Sequence, residues 1–321
     1  MEENKTETVT DGKTEEKFSL RGFFADMLKG GLMGVAFIIP GFSGGSVAAI
    51  LGIYEKLISA IADIFKSFKK SFITLLPIVL GLICGVLALL FPLGWALEKF
   101  PLPTVCLFVG LALGGLPSIT EKAKGKIKPT NIAAFAIPAL VALALCFLPI
   151  AEDVNLLALA PWEYITLFFI GILGSAALVV PGISGSMILL ILGYYNPIVS
   201  IITDHFLKGQ DMLTSLLVLC SVGLGICAGF VGISAIMKLL LKKCPRGTYF
   251  AILGFIIGSI PTVYVSTAKD AGMTFATLPT SPWHWVACVL LLALGLALSL
   301  SLVIFSKKRG KAGEADETDA E

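Results

Sequence analysis

The sequence predicts an all-α polytopic membrane protein made of two inverted-topology repeats, each a re-entrant helical hairpin followed by three transmembrane helices. Three observations predict it. The 321 residues are 56% hydrophobic and only 14% charged, against roughly 25% charged in an average soluble domain. The apolar residues gather into ten stretches, at 23–39, 44–62, 72–91, 103–118, 131–149, 161–180, 184–203, 213–237, 248–266 and 284–305, and the connections carry nearly all the charge. A Pro-Gly-x-Ser-Gly block occurs twice, in IIPGFSGGSVAAILGIY and in VVPGISGSMILLILGYY.

The same composition excludes other classes. Seven cysteines without a CxxC pair do not make a secreted disulfide scaffold. Six lie in apolar runs as small packing residues, and Cys244 is a reduced cytoplasmic thiol. His205 and His284 are too few for a histidine-rich metal site. A net charge of +2 offers no basic groove, so no nucleic-acid partner is expected.

Residues 1–19 are polar and mixed in charge and read as a disordered cytoplasmic tail rather than a cleaved signal. Residues 20–150 form the first repeat, 161–306 the second, and 307–321 an acidic cytoplasmic tail. Together they make one integrated membrane domain. From Phe23 to Phe65 the offset to the second copy is a constant 141, with 15 of 43 positions identical. Downstream the offset becomes 144, and Gly81, Gly85, Gly110, Gly114 and Pro117 fall on Gly225, Gly229, Gly254, Gly258 and Pro261. Each copy holds five stretches. Five is odd, and so are the three crossings that remain if the first two stretches return to their own side. The second copy therefore starts on the opposite face of the membrane.

Stretches one and two are read as a hairpin from depth. Lys29 lies 11 residues before Pro40, about 16 Å along a helix. Glu55 lies 12 residues after Ser43, about 18 Å. A tip at the far face would leave both charges near the bilayer centre at about 3 kcal/mol or more each. A tip at the midplane brings both to the cytoplasmic interface, where they can pair. Stretches three to five then span, as do eight to ten, and their glycines have the small-xxx-small spacing of close helix contacts. Stretches six and seven repeat the hairpin from the other side. Charge bias places both termini in the cytoplasm. The outer segments carry only Lys99, Lys208 and Lys269, and the 150–163 loop has acids but no Lys or Arg.

The tips carry the chemistry. Pro40 and Pro181 end the incoming half-helices, and Gly41 and Gly182 allow a sharp turn. Ser43 and Ser184 are N-cap residues for the outgoing half-helices. Gly44, Gly45 and Ser46, with Gly185 and Ser186, leave backbone amides open to an anion, which a helix N-terminus attracts. Two such tips meeting at the midplane make a two-fold anion cradle. The free carbonyls of the incoming half-helices leave room for a coupling proton or sodium ion. Lys29 and Glu55 have uncharged counterparts, Ile170 and Asn196, so an ion pair stands on the cytoplasmic side alone, as an ordinary interfacial anchor or as a phosphate relay or gate. Tyr54 and Tyr195 match as belt residues or ligand contacts. Asp63 and Asp204 match as solvated helix-end carboxylates, and Arg246 is topological.

KGGLMGVAFIIPGFSGGSVAAILGIYEKL and VVPGISGSMILLILGYY resemble the polyprenyl-phosphate transporter family. The resemblance covers about 20–305. It implies re-entrant helices in the cytoplasmic membrane of a prokaryote, and return of undecaprenyl phosphate from the outer to the inner leaflet for reuse as a carrier of wall polymers. The matching positions are Lys29, Gly30, Gly34, Pro40, Gly41, Ser43, Gly44, Gly45, Gly52, Tyr54, Glu55 and 181–186. Departures are Phe37 for a polar Asp or Asn, Ser46 for Thr, and Met187 for an aromatic residue or Thr. The first removes a possible acceptor or proton site at the first tip. A phosphate monoester needs a midplane anion site, and its prenyl tail needs a lateral opening among membrane lipids. Lipid-diphosphate phosphatases also carry inverted repeats and a Pro-Gly-x-Ser loop. They place an arginine after the serine, where Gly44 and Gly185 stand here, and add a glutamate-rich helix that this chain lacks. No enzyme activity, metal or cofactor is expected. The alternative is a transporter or channel for a soluble small anion.

Overall fold

The computed structural model describes residues 20–38, 43–270 and 281–318. The hinge residues Pro40 and Gly41 and the tail 1–19 lie outside the described residues. Among those described there are twelve α-helices and no strand. The first half contains α1 (Leu20–Ile38), α2 (Gly44–Ile50), α3 (Tyr54–Ala62), α4 (Phe68–Lys99), α5 (Pro101–Lys122) and α6 (Pro129–Ala144). The second contains α7 (Glu163–Val179), α8 (Gly185–Ile191), α9 (Tyr195–Ser200), α10 (Met212–Lys243), α11 (Pro245–Asp270) and α12 (Pro282–Thr318). A 3₁₀ turn at Leu145–Phe147 follows α6, and a π-helical turn at Ile201–Phe206 follows α9.

Six helices are long and apolar enough to cross a membrane: Phe68–Lys99, Pro101–Lys122, Pro129–Phe147, Met212–Lys243, Pro245–Val265 and Pro282–Ile304. They correspond to the six stretches read as full spans, so the chain is a multi-pass membrane protein. Four of them start on proline, whose fixed φ and missing N–H suit the first helical position. Phe100 joins α4 to α5 at φ −136°, ψ 57°, and Cys244 joins α10 to α11 at φ −134°, ψ 55°. The two residues are 144 apart, and the same one-residue turn serves both halves.

One expectation is corrected. Stretches two and seven are not single helices. Each breaks after seven residues at a glycine, Gly52 (φ +72°) or Gly193 (φ +76°). The left-handed backbone there stops the helix and redirects the chain, and Gly185–Ile191 meets Tyr195–Phe206 at 108°. The α12 backbone stays helical to Thr318. The run KAGEADET is rich in residues of high helix propensity.

Packing follows the glycine ladder. The helix α1 lies along α4, α7 along α10, α5 along α12, and α6 along α11. A side chain at Gly81 would run into the Met27 carbonyl, and one at Gly225 into that of Phe168, the residue 141 positions after Met27. Gly110 and Gly114 press on Leu292 and Leu296, while Gly254 and Gly258 press on Phe135 and Ala139. The small residues thus bring helix backbones into direct contact, as their spacing predicts. Gly94, with nothing within 4 Å, has no such duty.

Replacing Gly81 or Gly225 by Leu should therefore separate α1 from α4 or α7 from α10. Overpacking of this kind costs about 1–3 kcal/mol, which thermal unfolding of purified protein in detergent would register as a lowered midpoint. Gly94→Leu should leave the midpoint unchanged.

Candidate functional site

Ser43 opens α2 in extended backbone, φ −113° and ψ 130°. Its carbonyl accepts the N–H of Ser46 at 3.0 Å and of Val47 at 3.3 Å, which starts the helix. Ser184 opens α8 in the same way, with its carbonyl accepting from Ile188 at 3.2 Å. Both serines therefore occupy the N-cap position their sequence predicts, but neither hydroxyl caps a backbone amide. Ser184 Oγ is instead 3.0 Å from Ser186 Oγ. Ser43 Oγ is buried and has no hydrogen-bond partner among the described residues. The first-turn amides of both short helices thus lack the usual side-chain acceptor.

Gly44, Gly45 and Ser46 are buried with Ser43, as are Pro181, Gly182, Ser184 and Gly185, while Ser186 is exposed. Gly182 has φ +89°, and a side chain there would strike the α11 backbone at Phe255–Ile256. The turn at the second tip thus needs glycine on two counts. The first tip rests on α5, where Ser118 Oγ donates to the Ile50 carbonyl at 2.9 Å, closing the far end of α2.

The start of α3 is tied to the end of α7. Tyr54 is buried, and its hydroxyl donates to the Val179 carbonyl at 3.0 Å. Val179 is the last residue of α7, so its carbonyl has no helical partner of its own. The first hairpin thus caps the incoming helix of the second. This carbonyl, expected to be free for a coupling ion, is engaged. Tyr195, at the matching position, is 39% exposed. The two tyrosines have the same sequence context and different surroundings.

Around α3 the ion pairs differ from the expected ones. Lys29 and Glu55 do not pair. Glu55 Oε1 accepts from Lys122 Nζ at 2.9 Å and from the Tyr249 hydroxyl, and the Lys122 ammonium lies 5.4 Å from the centre of the Tyr249 ring. Asp26 pairs with Lys56 at 2.7 Å. Asp63 is not simply solvated, because it pairs with Lys238 of α10. One short helix is therefore fastened to α1, α5, α10 and α11. The partners Lys122, Tyr249 and Lys238 were invisible in the sequence, since each lies 67 or more residues from its acid. On the other hairpin, Asn196 donates to both Asp153 oxygens at 3.2 and 3.3 Å, and Asp204 pairs with its neighbour Lys208. Arg246 donates to the Lys126 carbonyl at 3.4 Å. No cluster of three or more metal-ligating His, Cys, Asp or Glu side chains occurs among the described residues.

The undecaprenyl phosphate translocase-like family matches the chain over residues 33–277. A protein of Staphylococcus aureus named polyprenyl-phosphate transporter is 31% identical over 284 residues, covering 86% of this chain and 95% of that protein. A protein of Vibrio cholerae with the same name is 26% identical over 318 residues, covering 89% and 98%. No solved structure matches the chain.

Tyr54→Phe would leave the buried Val179 carbonyl without its donor. An unsatisfied buried group costs about 1–3 kcal/mol, so the unfolding midpoint in detergent should drop. Tyr195→Phe, which removes no described hydrogen bond, should stay within about 0.5 kcal/mol of the parent.

Proposed function

The chain belongs to the undecaprenyl phosphate translocase-like family, and we propose that it is a transporter of polyprenyl phosphate, returning the lipid from the outer to the inner leaflet of a prokaryotic cytoplasmic membrane. The relatives named polyprenyl-phosphate transporter cover nearly its whole length. The phosphate is held where the two hairpin tips approach, by the amides of Gly44 and Gly45 and by those of Gly185 and Ser186, with the Ser43 and Ser184 hydroxyls beside them.

The observation that carries this reading is the buried Ser43 hydroxyl, unpartnered at the start of an uncapped helix. In a hydrocarbon-surrounded interior such a group is costly unless something completes it. A phosphate oxygen accepts both from hydroxyls and from open amides. Hydrogen bonds to a charged partner contribute about 1.5–3 kcal/mol each, so several of them offset part of the loss of water around a phosphate. The chemistry is binding and release, with no bond broken in the lipid, and the chain is read as a non-enzyme.

The hairpins are read as re-entrant and the halves as inverted repeats. The matched helix pairings, the matched glycine contacts and the two breaks at Gly52 and Gly193 support this. Both termini are then cytoplasmic, and α3 lies at the cytoplasmic end of the first hairpin. Its ties through Glu55 and Asp63 act as a gate on that side, with Lys29 nearby to draw the headgroup inward. A proton or sodium gradient is the available driving force.

The test is movement of fluorescent undecaprenyl phosphate between leaflets of proteoliposomes, with inorganic phosphate as competitor. Ser43→Val should lower the rate roughly tenfold or more, the scale of one lost hydrogen bond to a charged group, while insertion and monodispersity persist. Tight binding of free phosphate with no lipid movement would instead favour a soluble-anion transporter. An undiminished rate in both Ser43→Val and Ser184→Val would remove the tips from the mechanism.

A further inference from the structure

A cavity of about 970 Å³ lies between α3 and α4 on one side and α7 and α10 on the other. It begins at Gly45, Tyr54 and Val179, where the two hairpins are tied, and extends past α3 to Phe65 and Leu75. Tyr54 and Cys227 are its only lining residues with a polar side-chain atom, and the Tyr54 hydroxyl is already bonded to Val179. The cavity is bordered by side chains that reach the outside of the helix bundle, with Phe65 86%, Leu224 65% and Val79 46% exposed. It is therefore an apolar groove with a lateral mouth, and one end lies two residues along the chain from the unpartnered Ser43 hydroxyl.

The second half shows what covers such a surface. Four groove residues, Leu57, Leu75, Ile78 and Leu82, have repeat counterparts Ile198, Leu219, Val222 and Ile226. Those counterparts pack in one apolar cluster with Leu156, and Val154 and Leu159 pack on the same cluster. These three belong to the connection between α6 and α7. The outer surface is thus sealed by a short run of branched aliphatic side chains. On the first half no described segment does the same.

We infer that the groove holds the branched isoprenoid chain of the lipid whose phosphate sits at the tips. The inference rests on the phosphate reading above for the identity of the headgroup, and on the groove alone for the chain. A branched hydrocarbon matches the Val and Leu side chains that fill the counterpart surface, and within a bilayer it is favoured there by close packing rather than by removal from water. The groove also sets selectivity: a long chain gains contacts along α3, α4 and α10, whereas a short-chain prenyl phosphate reaches only the tip.

The experiment uses full-length protein in nanodiscs and compares undecaprenyl phosphate, geranyl phosphate and undecaprenol, which lacks the phosphate. Ala228→Trp, which fills part of the groove, should weaken undecaprenyl phosphate binding roughly tenfold, within the usual cost of overpacking a filled space, and leave geranyl phosphate binding within about twofold. Equal weakening of both, or of neither, would overturn the groove assignment. A second readout needs no bulky variant. With the exposed Cys84, Cys220 and Cys244 changed to Ser, alkylation of Cys227 by an apolar maleimide should be slowed by undecaprenyl phosphate and by undecaprenol, and not by inorganic phosphate. Protection by the alcohol as tight as by the phosphate would keep the groove and sink the phosphate reading. Phosphate-dependent binding without protection of Cys227 by either long chain would do the reverse.

Discussion

A broken helix inside a membrane leaves amides and carbonyls that water cannot reach, and the rest of this structure depends on how those groups are satisfied. Each unpaired group costs several kcal/mol in hydrocarbon. Among the described residues the chain breaks its helices at Gly52, after Val179 and at Gly193. At these breaks it supplies donors from elsewhere in the fold. Tyr54 completes Val179, and Ser118 completes Ile50. These side chains come from other helices, so the tips hold their shape only while α5, α7 and α11 stay in register. Ser43 Oγ, like Asn131 Nδ2, Ser215 Oγ, Ser234 Oγ and Thr267 Oγ1, is buried without a partner, and of these it is the one that stands at the start of a short uncapped helix. That opening is what the proposed phosphate site rests on.

Register, in turn, is set by backbone contact. Membrane helices gain little from the hydrophobic effect when they associate, because lipid tails are as apolar as the side chains they replace. Close packing must do the work, and glycine permits it. The crossings of Gly81 on Met27 and Gly225 on Phe168, and of Gly110 on Leu292 and Gly254 on Phe135, are the same contacts made twice. They produce two rigid pairs around each hairpin, and the long helix α10 is touched by the α3 arm of one hairpin and by the π-helical turn of the other.

This explains which parts of the molecule were legible in the sequence. Spans are local: length and apolarity along a few turns decide them, and six emerged where six were expected. Glycine crossings were legible because a recurring spacing marks a helix face. The breaks at Gly52 and Gly193 were hidden inside apolar runs, since a glycine in such a run is equally compatible with packing and with a turn, and only the positive φ distinguishes them. Partners were hidden altogether. Glu55 sits near Lys29 in any hairpin drawn from the sequence, yet its carboxylate is claimed by Lys122 and Tyr249 from the ends of two distant spans. The N-cap positions of Ser43 and Ser184 were readable from backbone preference, but the direction of their hydroxyls depends on neighbours that sequence does not rank. Tyr54 and Tyr195 show the limit of the repeat: an identical residue at an equivalent position is a buried tie in one half and a half-open ring in the other.

The asymmetry between the two arms has a physical consequence for the proposed cycle. The α3 arm is held by charged pairs to three other helices, Asp26 with Lys56, Glu55 with Lys122, and Asp63 with Lys238. The α9 arm is held by an amide–carboxylate contact and by an Asp204–Lys208 pair within its own segment. Partly exposed ion pairs contribute about 0–1 kcal/mol each, far less than the glycine crossings would lose on separation. They fasten without fixing. Ties of this strength favour one position of the α3 arm without locking it. Tyr249 makes the Glu55 tie twofold, because its hydroxyl donates to the carboxylate while its ring faces the Lys122 ammonium, so the carboxylate keeps a donor if the lysine is drawn away.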